Sequence, residues 1–214
     1  MVYVLERSPP LRIKSNGLKQ HLNVKIMRRT KAQLIGVIYK AFEGVTLEEG
    51  IGLWEGYALD ERLENTKEYY RLKGKDERED WQKIPILDLY YCSSSISFLD
   101  AKGMRFHLGL YLLFALEVFW EEEEALHENE DFDLSPPEVQ FALTYNLESD
   151  FSRERFSLLN KAQMKSVVYF LEYALGERKS HFRAHGITQK PSFDKRYKEL
   201  ENAIAFWKVK ALVG

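Results

Sequence analysis

The chain reads as a mainly α-helical, single-domain protein built around one buried central helix. Three observations predict this. Apolar residues recur at helical spacing behind N-cap residues in several separate segments. One stretch, Leu108 to Leu116, is apolar on every side, as a helix wrapped by its neighbours must be. Alternation with the two-residue period of a strand is confined to the first residues and to one later segment, which leaves room for at most a minor β element. The chain has 214 residues, 45% apolar and 30% charged. A chain of this length buries about 70% of its unfolded surface and needs no covalent or metal staple. With Cys92 as its single cysteine, it can build neither an intrachain disulfide nor a zinc ribbon.

Residues 1–29 form an irregular basic segment. Pro9-Pro10 blocks a helix, Asn16-Gly17 marks a turn, and Val2, Val4, Leu11 and Ile13 alternate as a short hairpin would. The opening residues include Glu6 and Arg7 and carry no apolar core of a signal peptide. Thr30 and Gln33 form a capping-box pair, and Leu34, Ile35, Ile38, Tyr39 and Phe42 give the first helix its stripe, with Gly44 beyond its end. Thr46 and Glu49 suggest a second cap, with Leu47, Ile51, Trp54 and Ala58 inward and the helix ending near Asp60. Glu64, Lys67, Glu68 and Arg71 predict an exposed helix closed by Gly74. Trp81 to Pro85 is a turn carrying a buried aromatic, and Ile86, Leu89 and Tyr90 open the next helix.

The central helix is predicted over 105–124. From Glu117 it turns acidic and emerges into water, so its glutamates crowd a C-terminus where the helix dipole is already negative. Pro136-Pro137 requires a loop. Val139, Phe141, Leu143 and Tyr145 then alternate as the minor β element. Asn160 caps a helix through Leu175, with Met164, Val167, Val168 and Leu171 on its core face and Gly176 closing it. Pro191-Ser192 opens a last helix with Tyr197, Leu200, Ile204, Trp207 and Leu212 inward. The organisation expected is a basic segment over 1–29, a helical core over 30–176, and a basic loop and C-terminal helix packing on that core over 177–214.

Net charge is only −2, but the charges are segregated. Met1 to Glu43 holds nine Lys/Arg against two Glu. Glu117 to Asp133 holds nine acids and no Lys or Arg, and Glu177 to Leu200 holds seven Lys/Arg against three acids. Single-sign fields of this kind steer opposite partners, although basic ends folding onto the acidic block would neutralise it internally.

Chemistry is sparse. Glu177, His181 and His185 stand at i, i+4 and i+8, a metal-ligand spacing, but Gly176 and Gly186 flank them and Arg178, Lys179 and Arg183 oppose a cation. Glu124 and His127 make one Glu-x-x-His where a di-iron bundle needs two. Cys92 lies among Tyr90, Tyr91 and Ser93, where a packed thiol is expected. No nucleophile elbow or phosphate loop is present. The basic stretch Lys25 to Lys31 precedes a helix and could grip phosphates, but an isoelectric point near 6.3 and the acidic block oppose a nucleic-acid role. No cofactor and no metal are expected, and no apolar run approaches a membrane span.

Four phrases occur in order: Ile38 to Phe42 (Ile-Tyr-Lys-Ala-Phe), Trp81 to Pro85 (Trp-Gln-Lys-Ile-Pro), Phe98 to Phe106 (Phe-Leu-Asp-Ala-Lys-Gly-Met-Arg-Phe), and Gln163 to Tyr173 with Val167 and Phe170-Leu171. Together they resemble a bacterial family described only as a domain of unknown function, over Thr30 to Leu175. That family often has a proline soon after the Arg-Phe phrase, where this chain has Gly109 nearby. The resemblance implies a bacterial, cytosolic, non-enzymatic protein and supplies no catalytic residues. Within the phrases, Asp100 and Arg105 flank Gly103 and are expected to pair across the turn.

The expectation for function is therefore a non-enzymatic, intracellular protein-binding module, with a toxin-neutralising immunity protein as one form. Its candidate surface is Glu121, Glu122, Glu124, Glu128, Glu130, Asp131 and Asp133, facing a basic protein partner. The alternatives are an enzyme with a site assembled from scattered residues, and a nucleic-acid-binding regulator using Lys25 to Lys31.

Overall fold

A computed structural model describes residues 29–127, 134–186 and 194–213. Among them are ten α-helices, two 3-10 turns and no strand. The helices are α1 (Lys31–Ala41), α2 (Leu53–Asp60), α3 (Lys67–Lys73), α4 (Ile86–Tyr91), α5 (Ala101–Ala115), α6 (Trp120–His127), α7 (Val139–Ala142), α8 (Asp150–Arg155), α9 (Lys161–Ala184) and α10 (Lys195–Val213). The 3-10 turns span Trp81–Lys83 and Ser93–Ser97. The mainly α, single-domain architecture is as expected. The hairpin expected near the N-terminus and the helix start expected at Pro191-Ser192 fall outside the described residues.

Helix α5 is the centre. Every residue from Met104 to Phe114 except Arg105 is buried, because α1, α7, α8 and the turn at Trp81 all pack on it. α1 bridges α5 and α9, and α10 runs along α9. α2 sits on the Ser93–Ser97 turn and on α3. Trp81 locks this side. Its ring stacks on Tyr39 at 5.7 Å, and its indole N–H donates to the carbonyl of Phe42 at 2.9 Å.

Leu212, expected inward, is 75% exposed because Ala211 takes the buried position one turn after Trp207, and five further local expectations are corrected. First, the central helix spans Ala101–Ala115 rather than 105–124. Asp100 starts it, accepting from the Gly103 N–H at 2.7 Å. It stops at Leu116 because Glu117 takes a left-handed φ of 53°. The Glu117 N–H then bonds the Phe114 carbonyl and the Val118 N–H bonds the Leu113 carbonyl, the paired bonds of a Schellman ending. The chain restarts as α6.

Second, 139–145 is the short helix α7 and a turn, not a strand. Val139, Ala142 and Leu143 are buried at helical spacing, while Phe141 and Tyr145 stand outside and stack at 4.7 Å. A strand would set Ala142 outward with Gln140 and Thr144, whereas here it is buried. Third, Thr46 starts no helix: Glu48 is left-handed at φ 54°, and α2 begins at Leu53.

Fourth, α9 runs through Gly176 to Ala184. A mid-helix glycine costs about 1 kcal/mol, less than the packing of α10 along α9 returns. Fifth, Asp100 and Arg105 do not pair with each other. Asp100 also accepts from the Ile51 N–H at 3.1 Å, and Arg105 reaches Glu48 at 2.5 Å, beside Lys102 on Glu48 and Glu49. The phrase around Gly103 thus clasps the loop at 48–51 to the start of α5. A Cβ on Gly103 would stand 2.2 Å from the Ile51 carbonyl oxygen, so only glycine permits this approach.

Candidate functional site

The break after α5 changes the meaning of the acidic block. Glu121, Glu122 and Glu123 lie in the first turn of α6. There the dipole favours carboxylates, so the stability cost expected of glutamates at a helix C-terminus is absent. Glu121, Glu122 and Glu124 are exposed, and none joins an ion pair among the described residues. Trp120, which opens α6, is 55% exposed and stands one turn from Glu124. Glu123 turns inward and accepts from the Tyr90 hydroxyl at 2.8 Å, which, after burial itself, raises the phenol's pKa. That contact docks α6 on α4 and leaves the opposite face outward. Glu128, Glu130, Asp131 and Asp133 lie outside the described residues.

Of the basic groups flanking the core, Lys31 reaches the first acid of the block, while Arg29 and Arg178 have other partners. The guanidinium of Arg29 sits 3.5 Å over the Tyr169 ring. Lys31 approaches Glu117, at 3.4 Å from its carbonyl and 4.0 Å from its carboxylate. Arg178 forks onto Asp194 at the start of α10. Glu177 and His181 share α9, and the His181 and His185 rings lie 4.2 Å apart, but no group of three His, Cys, Asp or Glu among the described residues is placed to hold a metal ion. Cys92 is fully buried, and burial beside Asp88 and Asp76 pushes its thiol pKa far up, so it presents no nucleophile.

Two charged features escaped the sequence because their partners are distant along the chain. The first joins α2, α3 and the loop after α3. Asp76 accepts the N–H groups of Trp54 at 2.7 Å and Glu55 at 3.1 Å, capping α2 from another segment. A Cβ on Gly52 would meet this carboxyl at 2.1 Å. Burial, reinforced by the Glu55 charge and opposed by the two N–H bonds, raises Asp76 to a pKa of about 6. Glu55 is itself buried and accepts from the Tyr69 hydroxyl and from Lys73 at 2.7 Å. The Tyr69 phenol is pushed up to about 12, chiefly by that hydrogen bond. The cluster fastens three segments, and Asp76 can change charge within the neutral range.

The second feature is Arg155, only 7% exposed at the end of α8. Its guanidinium donates to the carbonyls of Ile96 at 3.1 Å and Ala142 at 3.4 Å, and lies 4.8 Å over Phe156 and 4.9 Å over Phe151. No carboxylate pairs with it among the described residues, and its Nε has no partner. It lines a cavity of about 480 Å³ together with Ser93, Ser94, Ser97, Glu138 and the exposed rings of Phe141, Tyr145 and Phe151. A serine run and a lone arginine gave no sequence signal, since neither has a fixed spacing.

The model of the family described as "Family of unknown function (DUF6714)" matches residues 30–208. No curated protein and no solved structure matches the chain.

Proposed function

The chain belongs to DUF6714, and since membership assigns no chemistry we propose from its surface that it is a non-enzymatic, intracellular protein-binding module. It offers the outer face of α6 to a basic protein. A toxin-neutralising immunity protein is the form of module this reading favours. The observation that carries it is the exposed Trp120 set beside the unpaired carboxylates of Glu121, Glu122 and Glu124. An exposed tryptophan supplies the desolvated anchor on which interfaces concentrate their energy, and the carboxylates supply steering and register against lysines and arginines. The nine acids between Glu117 and Asp133 extend the same sign of field. Among the described cations Lys31 reaches the edge of this stretch at Glu117, and none pairs with Glu121, Glu122 or Glu124, which supports an external use of the α6 face.

The test has two steps. The partner is cross-linked to the native protein in its host and identified, and binding is then measured by calorimetry across a salt series. Trp120→Ala should cost at least about 2 kcal/mol of affinity. Reversal of Glu121, Glu122 and Glu124 to Lys should weaken binding and flatten its salt dependence, while lowering the melting temperature only by the small amount that cations at the start of α6 cost, about 0.3–1 kcal/mol each. Unchanged affinity and salt slope in both variants would overturn the reading. A large loss of melting temperature, relieved by salt, would show instead that the protein's own basic segments occupy the face.

A further inference from the structure

We propose that the cavity beneath Phe141, Tyr145 and Phe151 is a binding site for a small aromatic anion. Its carboxylate or phosphate head would be held at Arg155 and its flat body against the exposed rings. Arg155 is the starting point. A guanidinium has five N–H donors, and two carbonyls engage this one. Those carbonyls belong to the last residue of α7 and to the Ser93–Ser97 turn, so the arginine does help to end both elements. That role explains two donors and leaves the charge unexplained. Buried arginines are ordinarily matched by a carboxylate, and none lies within ion-pair reach here among the described residues. Nε is buried without an acceptor. Burial lowers the guanidinium's pKa, but an arginine stays cationic and so continues to call for a counter-anion.

The rest of the cavity matches such a ligand. The hydroxyls of Ser93, Ser94 and Ser97 line it, and none of the three makes a hydrogen bond to the described chain. They are free to donate to an oxyanion's remaining lone pairs. Phe141, Tyr145 and Phe151 are each more than half exposed, an apolar expense in water unless something packs on them. A volume of about 480 Å³ lies within the range of small-ligand sites. Glu138 stands on the exposed rim, where water screens its charge, and it disfavours ligands with several separate anionic groups. A flat body with one anionic head satisfies all of these groups at once.

The probes are benzoate, phenyl phosphate, inorganic phosphate and the neutral benzyl alcohol, titrated into the full chain and followed by amide NMR shifts. At least one of the two aromatic anions should give saturable shifts at residues 93–97 and 141–155, with benzyl alcohol bound about tenfold more weakly or worse. Benzoate against phenyl phosphate distinguishes the two head groups. Arg155→Gln should lose about tenfold or more in affinity. In case that variant fails to fold, Ser94→Asp places a carboxylate in the same cavity with Arg155 intact, and should compete with the anion and weaken it to a like extent. Phe151→Ala should weaken the aromatic anion while leaving any inorganic phosphate binding unchanged. The proposal is overturned if neither aromatic anion saturates, if benzyl alcohol binds equally well, or if Ser94→Asp leaves the affinity intact.

Discussion

His107 shows how one residue on α5 sets the response of the fold to acid. Its ring is 1% exposed, and Nδ1 bonds the Gly103 carbonyl at 2.8 Å. Burial lowers its pKa to about 4. In the unfolded chain the ring takes up a proton near pH 6.5, while the folded chain resists until about 4. The stability contributed by the neutral ring is therefore complete above pH 6.5 and is lost as pH falls toward 4, by roughly 3 kcal/mol in all. Asp76 acts in the opposite sense. Its folded pKa of about 6 lies above the unfolded value, so its contribution is complete below about pH 4 and is lost as pH rises toward 6. Urea melts between pH 7 and 4 should separate the two. His107→Leu should remove an acid-labile component, and Asp76→Asn should remove an acid-stabilised one. Carboxyl NMR should find Asp76 titrating near 6, and a midpoint below 4 would contradict its burial. Neither group was legible as special in the sequence, because histidine and aspartate are polar residues whose burial depends on distant neighbours.

At the scale of the element, the helices whose caps are local were legible and those shaped by distant groups were not. Thr30 with Gln33 and Asn160 with Gln163 both form complete capping boxes, as their spacing predicts. The start of α2 depends on Asp76, more than twenty residues away, so no local pattern marks it. The end of α5 depends on a glutamate taking the conformation usually given to glycine. Glu117→Gly should therefore stabilise the fold by about 1 kcal/mol, the cost of holding a side chain in the left-handed region. Gly103→Ala should do the reverse of what helix propensity predicts. Alanine ordinarily gains about 1 kcal/mol over glycine inside a helix, but here its Cβ would collide with the Ile51 carbonyl, so a net loss is expected in thermal melts.

At the scale of the molecule, α10 ties the far end of the chain to the core. Tyr197, Leu200, Ala203, Ile204, Trp207 and Ala211 form its buried face, and Trp207 is 1% exposed. The Trp207 indole donates to the Leu143 carbonyl at 3.0 Å and meets Phe156 edge-on. Trp207→Ala should cost about 3–5 kcal/mol, and unfolding followed by far-ultraviolet dichroism and by tyrosine fluorescence should stay coincident, since α5, α7, α9 and α10 share one core. Transitions that separate by probe would show that α10 is an independent unit. No helix among the described residues is long and apolar enough to cross a membrane.

The helical class, the buried run at Leu108 to Leu116, the locally capped helices and the segregation of charge are all legible along the chain. These follow from periodicity and short-range hydrogen bonding, both of which are written into neighbouring residues. Tertiary contacts set where the central helix breaks, that Glu121 to Glu123 therefore begin a helix instead of ending one, and that Val139 to Ala142 form a helical turn. They also decided which charges meet. Asp76 found α2, Arg105 found Glu48, and Arg155 was buried without a carboxylate, because pairing across tens of residues is set by which surfaces the core brings together.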